Sequence, residues 1–217
     1  MNKSNEIARK RAVSNALSSI RKDRRFPEKV LVGHWGEYLF FDPFIMFGPK
    51  FIDVANLLLS GDGSVIALIN LGNVIPIDYD NPPVLFIEEN TQAKEYVSEL
   101  ENRESPSGVG EVTGMKEHVA ELTSKRAPLS WRVLVDRYVC ASDEGNWSIY
   151  CERENDVGVF AFREGFSQAV CLQIERLLEA KSIRCSSSAG DTWRFDFAKL
   201  LPNWRAALVA EHSLTNK

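Results

Sequence analysis

The chain has 217 residues, with 44% hydrophobic and 26% charged side chains and a formal net charge of −4. A chain of this length and balance buries enough surface to hold a core without disulfide or metal staples. Its composition excludes a collagen, a disordered tail, a disulfide-stapled miniprotein and a membrane channel. The charge is uneven: residues 1–29 hold nine Lys or Arg against three acids, a net of +6, so the remainder carries −10. An acidic body attracts basic partners and repels nucleic acid, and the basic segment does the reverse.

In chain order, residues 4–22 predict a basic helix, with Val13, Ala16, Leu17 and Ile20 as its apolar stripe and Arg and Lys on the other face. Lys29–Gly33 and Glu37–Phe41 read as two strands of a hairpin, Phe44–Phe47 as a candidate third strand, and Phe51–Leu59 as a helix. Val65–Ile69 is apolar on both faces and predicts a buried strand. Short strands at Val74–Ile77 and Val84–Ile87 and a polar helix over 90–101 follow. Ser105, Pro106, Ser107, Gly108 and Gly110 mark a linker, after which residues 115–125 give a weak helix.

Beyond the linker, Trp131–Cys140, Asn146–Cys151 and Val157–Phe162 predict a three-stranded meander. Ser167–Ala180 predicts a helix, Ile183–Ser187 and Thr192–Phe197 short strands, and residues 198–212 a closing helix with Leu200, Leu201, Trp204 and Leu208 on its apolar face. The expected organisation is a basic amphipathic helix (1–28), an N-terminal α+β subregion (29–101), a linker (102–114) and a C-terminal α+β subregion (115–217). The fold class is α+β, with antiparallel or mixed sheets flanked by helices. Both halves run strands, helix, strands, as two related subregions would.

Catalytic and cofactor signatures are absent from the sequence. The cysteines at 140, 151, 171 and 185 form no CxxC pair and read as reduced thiols packed as small hydrophobes. His118 and His212 have no metal-spaced partner, and Asp78, Asp80 and Glu89 lack the glycine turn of a calcium loop. Gly108, Gly110 and Gly114 have the wrong spacing for a dinucleotide loop and follow no strand. No cofactor, metal or catalytic residue is therefore assigned. The longest apolar run, Val65–Leu71, is interrupted by Asn70 and is far short of the roughly 20 residues that span a bilayer. Residues 1–29 lack the apolar run of a secretory signal, so the expected location is cytoplasmic.

The strongest candidate surface joins aromatics to acidic turns: Asp143, Glu144, Trp147, Glu152, Glu154, Asp156, Asp191 and Trp193. The alternative is a small-ligand or enzymatic pocket at His34 and Trp35, where Gly33 and Gly36 let the backbone turn. A third reading is a nucleic-acid-associated regulator that uses the basic N-terminal helix. Acidic, aromatic-rich, α+β and poor in catalytic motifs, the chain resembles the small cytosolic immunity proteins that bacteria carry against contact-delivered toxins. That resemblance implies a protein that binds a basic toxin domain and neutralises it by occlusion, and it assigns no residue roles.

Overall fold

A computed structural model describes residues 3–61, 63–72, 83–89, 91–102, 136–182 and 195–212. Several expected features lie outside these residues: the strand at 74–77, the Asp78–Asp80 turn, the linker from 103 onward, the helix at 115–125, and most of the two short strands after 182. The described residues form an α+β fold with five α-helices and one seven-stranded antiparallel sheet. In chain order the elements are α1 (Lys3–Ser18), β1 (Glu37–Phe41), α2 (Pro49–Leu59), β2 (Val65–Asn70), β3 (Val84–Glu88) and α3 (Ala93–Asn102). They continue with β4 (Arg137–Ser142), β5 (Trp147–Glu152), β6 (Val157–Phe162), α4 (Gln168–Leu177), β7 (Lys181–Ser182) and α5 (Pro202–His212).

The strand order is β3-β2-β4-β5-β6-β1-β7. The predicted meander is β4-β5-β6, and it sits between β2 and β1. Strands from both sides of residues 102–114 therefore alternate in one sheet: Ile66 of β2 lies opposite Ser142, and Glu37 of β1 opposite Phe162.

Successive strand residues point to opposite faces, and here both faces are covered, which is why β2, β5 and β6 are buried along their whole length. One face carries Phe41, Ile66, Leu68, Tyr138, Trp147, Ile149, Phe160 and Phe162, which pack in one core with α2, α3 and α4. The other carries Phe40, Val65, Ala67, Val139, Ala141, Tyr150, Val159 and Ala161, packed against α1, the 20–35 segment and α5. Gly158, the second residue of β6, is needed for close packing, because a Cβ there would lie 2.8 Å from the Phe41 ring.

Four local expectations change. Helix α1 ends at Ser18, and its buried stripe is Ala8, Ala12 and Ala16, with Val13 and Leu17 at the margins. The small side chains Ala67 and Ala141 across from it admit the helix backbone closely, so alanines rather than larger residues face the sheet. Lys29–Gly33 does not pair with β1. Its hydrogen bonds go to residues 19–21, from Arg21 N–H to the Val30 carbonyl (2.7 Å) and from Val32 N–H to the Ser19 carbonyl (2.7 Å). Gly33, at φ +107°, then turns the chain, and Gly36 N–H donates to Phe162 O, which delivers β1 to β6.

Pro43–Phe47 is a 3-10 turn instead of a strand, because Pro43 opens it and the Asp42 carboxylate accepts from Phe44 N–H. At the other end, the expected 198–212 helix is a 3-10 turn at Phe197–Lys199 followed by α5. Leu201 is exposed there, and Leu208 and His212 are the fully buried residues.

Candidate functional site

Three of the sequence-predicted binding residues are buried, so they do not present to a partner. Asp143 is a loop clamp: its carboxylate accepts from Ser64 N–H (2.8 Å), Val65 N–H (3.1 Å) and the Ser64 hydroxyl (3.2 Å). Trp147 has no exposed surface and packs on Phe160 with ring centroids 5.3 Å apart. Glu152 is equally buried, and accepts from the Tyr150 hydroxyl, the Asn155 amide and Phe26 N–H. Burial pushes its carboxyl above the usual carboxylate range, against the pull of those donors.

Two exposed acids of the set, Glu144 and Glu154, are held by the chain's own basic segment. Arg11 reaches Glu144 (3.4 Å), and Arg25 pairs with Glu154 (2.8 Å) and Asp136 (3.4 Å). Arg9 does the same to Glu88 on β3. These arginines of the 1–28 segment are thus engaged by carboxylates of the body. Asp156 is exposed in the β5–β6 turn, at φ +52°. Asp191 and Trp193 lie outside the described residues.

His34 and Trp35 part company. Trp35 is buried, donates its indole N–H to the Val32 carbonyl (3.0 Å) and lies under the Arg163 guanidinium. His34 is exposed on the loop above it. Neither residue lines the two clefts that flank α2.

Helix α2 creates those clefts. Pro49 supplies a preset φ at its first position, and Phe51, Ile52, Val54, Ala55, Leu58 and Leu59 turn inward. Asp53, Asn56, Leu57 and Ser60 stand at i, i+3, i+4 and i+7, which makes them the outward ridge. With α3 packed on one side of α2 and α4 on the other, a valley runs along each flank of this ridge.

The valley toward α3 is a groove of about 390 Å³, lined by Ile52, Asp53, Asn56 and Ser60 from α2 and by Glu89, Thr91, Gln92 and Ala93. Ser60 and Thr91 direct their hydroxyls to the carbonyls of Leu57 and Glu88. The Asp53 and Glu89 carboxylates supply the charge, and no basic side chain is among the described lining residues. Ile52 and Ala93 give an apolar wall. The arrangement suits an amphipathic cation, whose aliphatic stem lies along the apolar wall while its head meets the carboxylates.

The second cleft, toward α4, measures about 300 Å³. Leu57, Leu58, Phe166 and Val170 form its apolar part, with Asn146, Arg163, Glu164 and Ser167 as polar lining.

Burial pushes the Cys140 and Cys151 thiols up, away from the reactive thiolate. Among the described residues no group of three His, Cys, Asp or Glu side chains is placed to hold a metal ion. No protein-family model, curated protein or solved structure matches this chain.

Sequence reasoning passed over Asp53 and weighed Glu89 only as a calcium-loop position. The signal for Asp53 was present, as polar residues at 53, 56 and 60 share one stripe of an otherwise apolar helix. Glu89 had no local signal, because only the packing of α3 on α2 brings it to Asp53.

Proposed function

We propose that the chain is a protein-binding module that docks a basic partner, with the groove between α2 and α3 receiving a Lys or Arg side chain of that partner. One observation carries the reading: a groove of about 390 Å³ with two carboxylates, an apolar wall and no cation among its described lining residues. The acidic surplus of residues 30–217 supports it, since it speeds encounter with a positively charged surface. Occlusion of a basic toxin domain, as the resemblance to immunity proteins implies, is the specific form we propose. The chain then works by covering a surface rather than by chemistry. No described helix is long and apolar enough to cross a membrane.

The test is affinity capture from the native host at low salt, with the partner identified by mass spectrometry. The expected result is a stoichiometric basic protein whose binding weakens with salt and is lost in D53K/E89K but retained in E144K, since Glu144 is already paired with Arg11. A partner that binds D53K/E89K as well as the parent chain overturns the groove as the docking site.

A further inference from the structure

We infer that the docking surface is bipartite and straddles α2: the partner places a cation in the acidic groove and an apolar anchor side chain in the second cleft on the opposite flank. This rests on the groove reading above and extends it. Both clefts are built on the same helix, the groove on Ile52, Asp53, Asn56 and Ser60, the second cleft on Leu57, Leu58 and Gly61. One contacting element that crosses the α2 ridge therefore meets both.

The two clefts differ in chemistry. The described lining of the groove has net negative charge and holds no cation. The second cleft sets Arg163 against Glu164, and its apolar part comes from Leu57, Leu58, Phe166 and Val170. An apolar depression ringed by polar groups is the anatomy of an interface anchor pocket, and a cation would find no net charge to favour it there. The half-buried Leu57, Phe166 and Val170 pack against the hydrophobic core shared by α2, α4 and the sheet, so the pocket is backed by close packing.

The separation of the two subsites follows from helix geometry. A helix with its side chains is about 10–12 Å across, so a partner segment needs about three residues between anchor and cation at roughly 3.3 Å each. The probes are therefore two blocked peptides, Ac-Leu-Gly-Ser-Gly-Arg-NH₂ and its control Ac-Gly-Gly-Ser-Gly-Arg-NH₂. Each is titrated into the ¹⁵N-labelled full chain and followed by amide shifts.

Both peptides should shift amides of residues 52–60 and 89–93. Only the leucine peptide should shift residues 163–170 as well, and it should bind at least about 10-fold tighter, as expected when a second contact becomes intramolecular. Val170→Lys should remove that gain and leave the control's affinity unchanged. Equal affinity of the two peptides, or a gain without shifts at 163–170, overturns the bipartite surface while leaving the groove standing. No shift at 52–60 and 89–93 with either peptide overturns the groove reading and this inference together. The shift map carries the test even where Val170→Lys does not fold.

Discussion

The two faces of the sheet are held by different physics. On the α2/α3/α4 side, large apolar side chains interlock: Phe160 stacks on Phe162 with centroids 4.3 Å apart, and Trp147 lies against Phe160. On the α1/α5 side β2 and β4 present small residues, Ala67 and Ala141, to the alanines of α1. Polar groups are buried there too: Ser19 and Ser148 share a hydroxyl hydrogen bond of 2.7 Å, Glu152 is ringed by donors, and His212 is buried at the C-terminal end of α5. The first face gains from bulk and dispersion, the second from close approach and satisfied polarity. They should therefore fail in different ways.

The largest effect should come from deleting bulk on the first face. Trp147→Ala or Phe160→Ala should cost about 3–5 kcal/mol in urea unfolding, through lost transfer energy and the cavity left behind. A cost near 1 kcal/mol would mean that this face is not closely interlocked. Next is the opposite error on the second face. Ala16→Leu should destabilise by about 1–3 kcal/mol because the helix has no room to step back from the sheet. Ser14→Leu, on the exposed side of α1, should be close to neutral. If Ala16→Leu is tolerated equally well, the close approach of α1 is not a constraint.

Acidity should act on the second face. His212 is 1% exposed and edged by the rings of Phe26, Tyr38 and Phe40. Its Nδ1 lies 3.0 Å from the Leu208 carbonyl, which can only accept, so Nδ1 carries the proton and Nε2 is left as a buried acceptor with no hydrogen-bond partner among the described residues. Burial lowers its pKa below the ordinary 6.5. The unfolded chain then binds the extra proton more readily, so the His212 contribution to stability is full above pH 6.5 and falls as pH drops below it. Glu152 acts with the opposite sign: its raised pKa makes the folded state the better proton acceptor, which favours folding as pH falls toward 4.5. Comparing the chain with His212→Phe isolates the histidine. Between pH 7 and 5 the parent's Tm should fall more steeply than the variant's, and parallel curves would remove His212 as the acid-sensitive group.

The smallest effects should be the ion pairs that hold α1 and the 20–29 segment to the body. A double-mutant cycle on Arg11 and Glu144, or on Arg25 and Glu154, should give a coupling of about 1 kcal/mol or less, shrinking with salt. A larger coupling would make charge, rather than the alanine stripe, the reason that α1 docks where it does.

Legibility in the sequence followed the same division. Elements that end up with bulky apolar residues on the first face, such as Phe51–Leu59 and Val157–Phe162, announced themselves by hydrophobic period. The second face was harder, because its buried stripe of Ala8, Ala12 and Ala16 carries little hydrophobic signal beside Val13 and Leu17. The candidate site divided similarly. Trp147 and Glu152 sit near turns in sequence, but strand alternation sends Trp147 to one core and Glu152 to the other face. The pairing of Arg11 with Glu144 and of Arg25 with Glu154 is long-range, and no local pattern could reveal that the acidic face already has a basic segment against it.

The strand order also bears on how the chain comes into being. β1 pairs only with β6 and β7, and β2 has β4 as one of its two neighbours, so two strands from the first third of the chain depend on strands made much later. As the chain leaves the ribosome, β1 has no partner until residue 162 has emerged, and the hydrophobic β2 can pair only with β3 until residues 137–142 follow. Contacts this distant in sequence form slowly and leave apolar strands exposed meanwhile. Nascent chains stalled before β6 should engage chaperones, and those extended beyond it should be released from them.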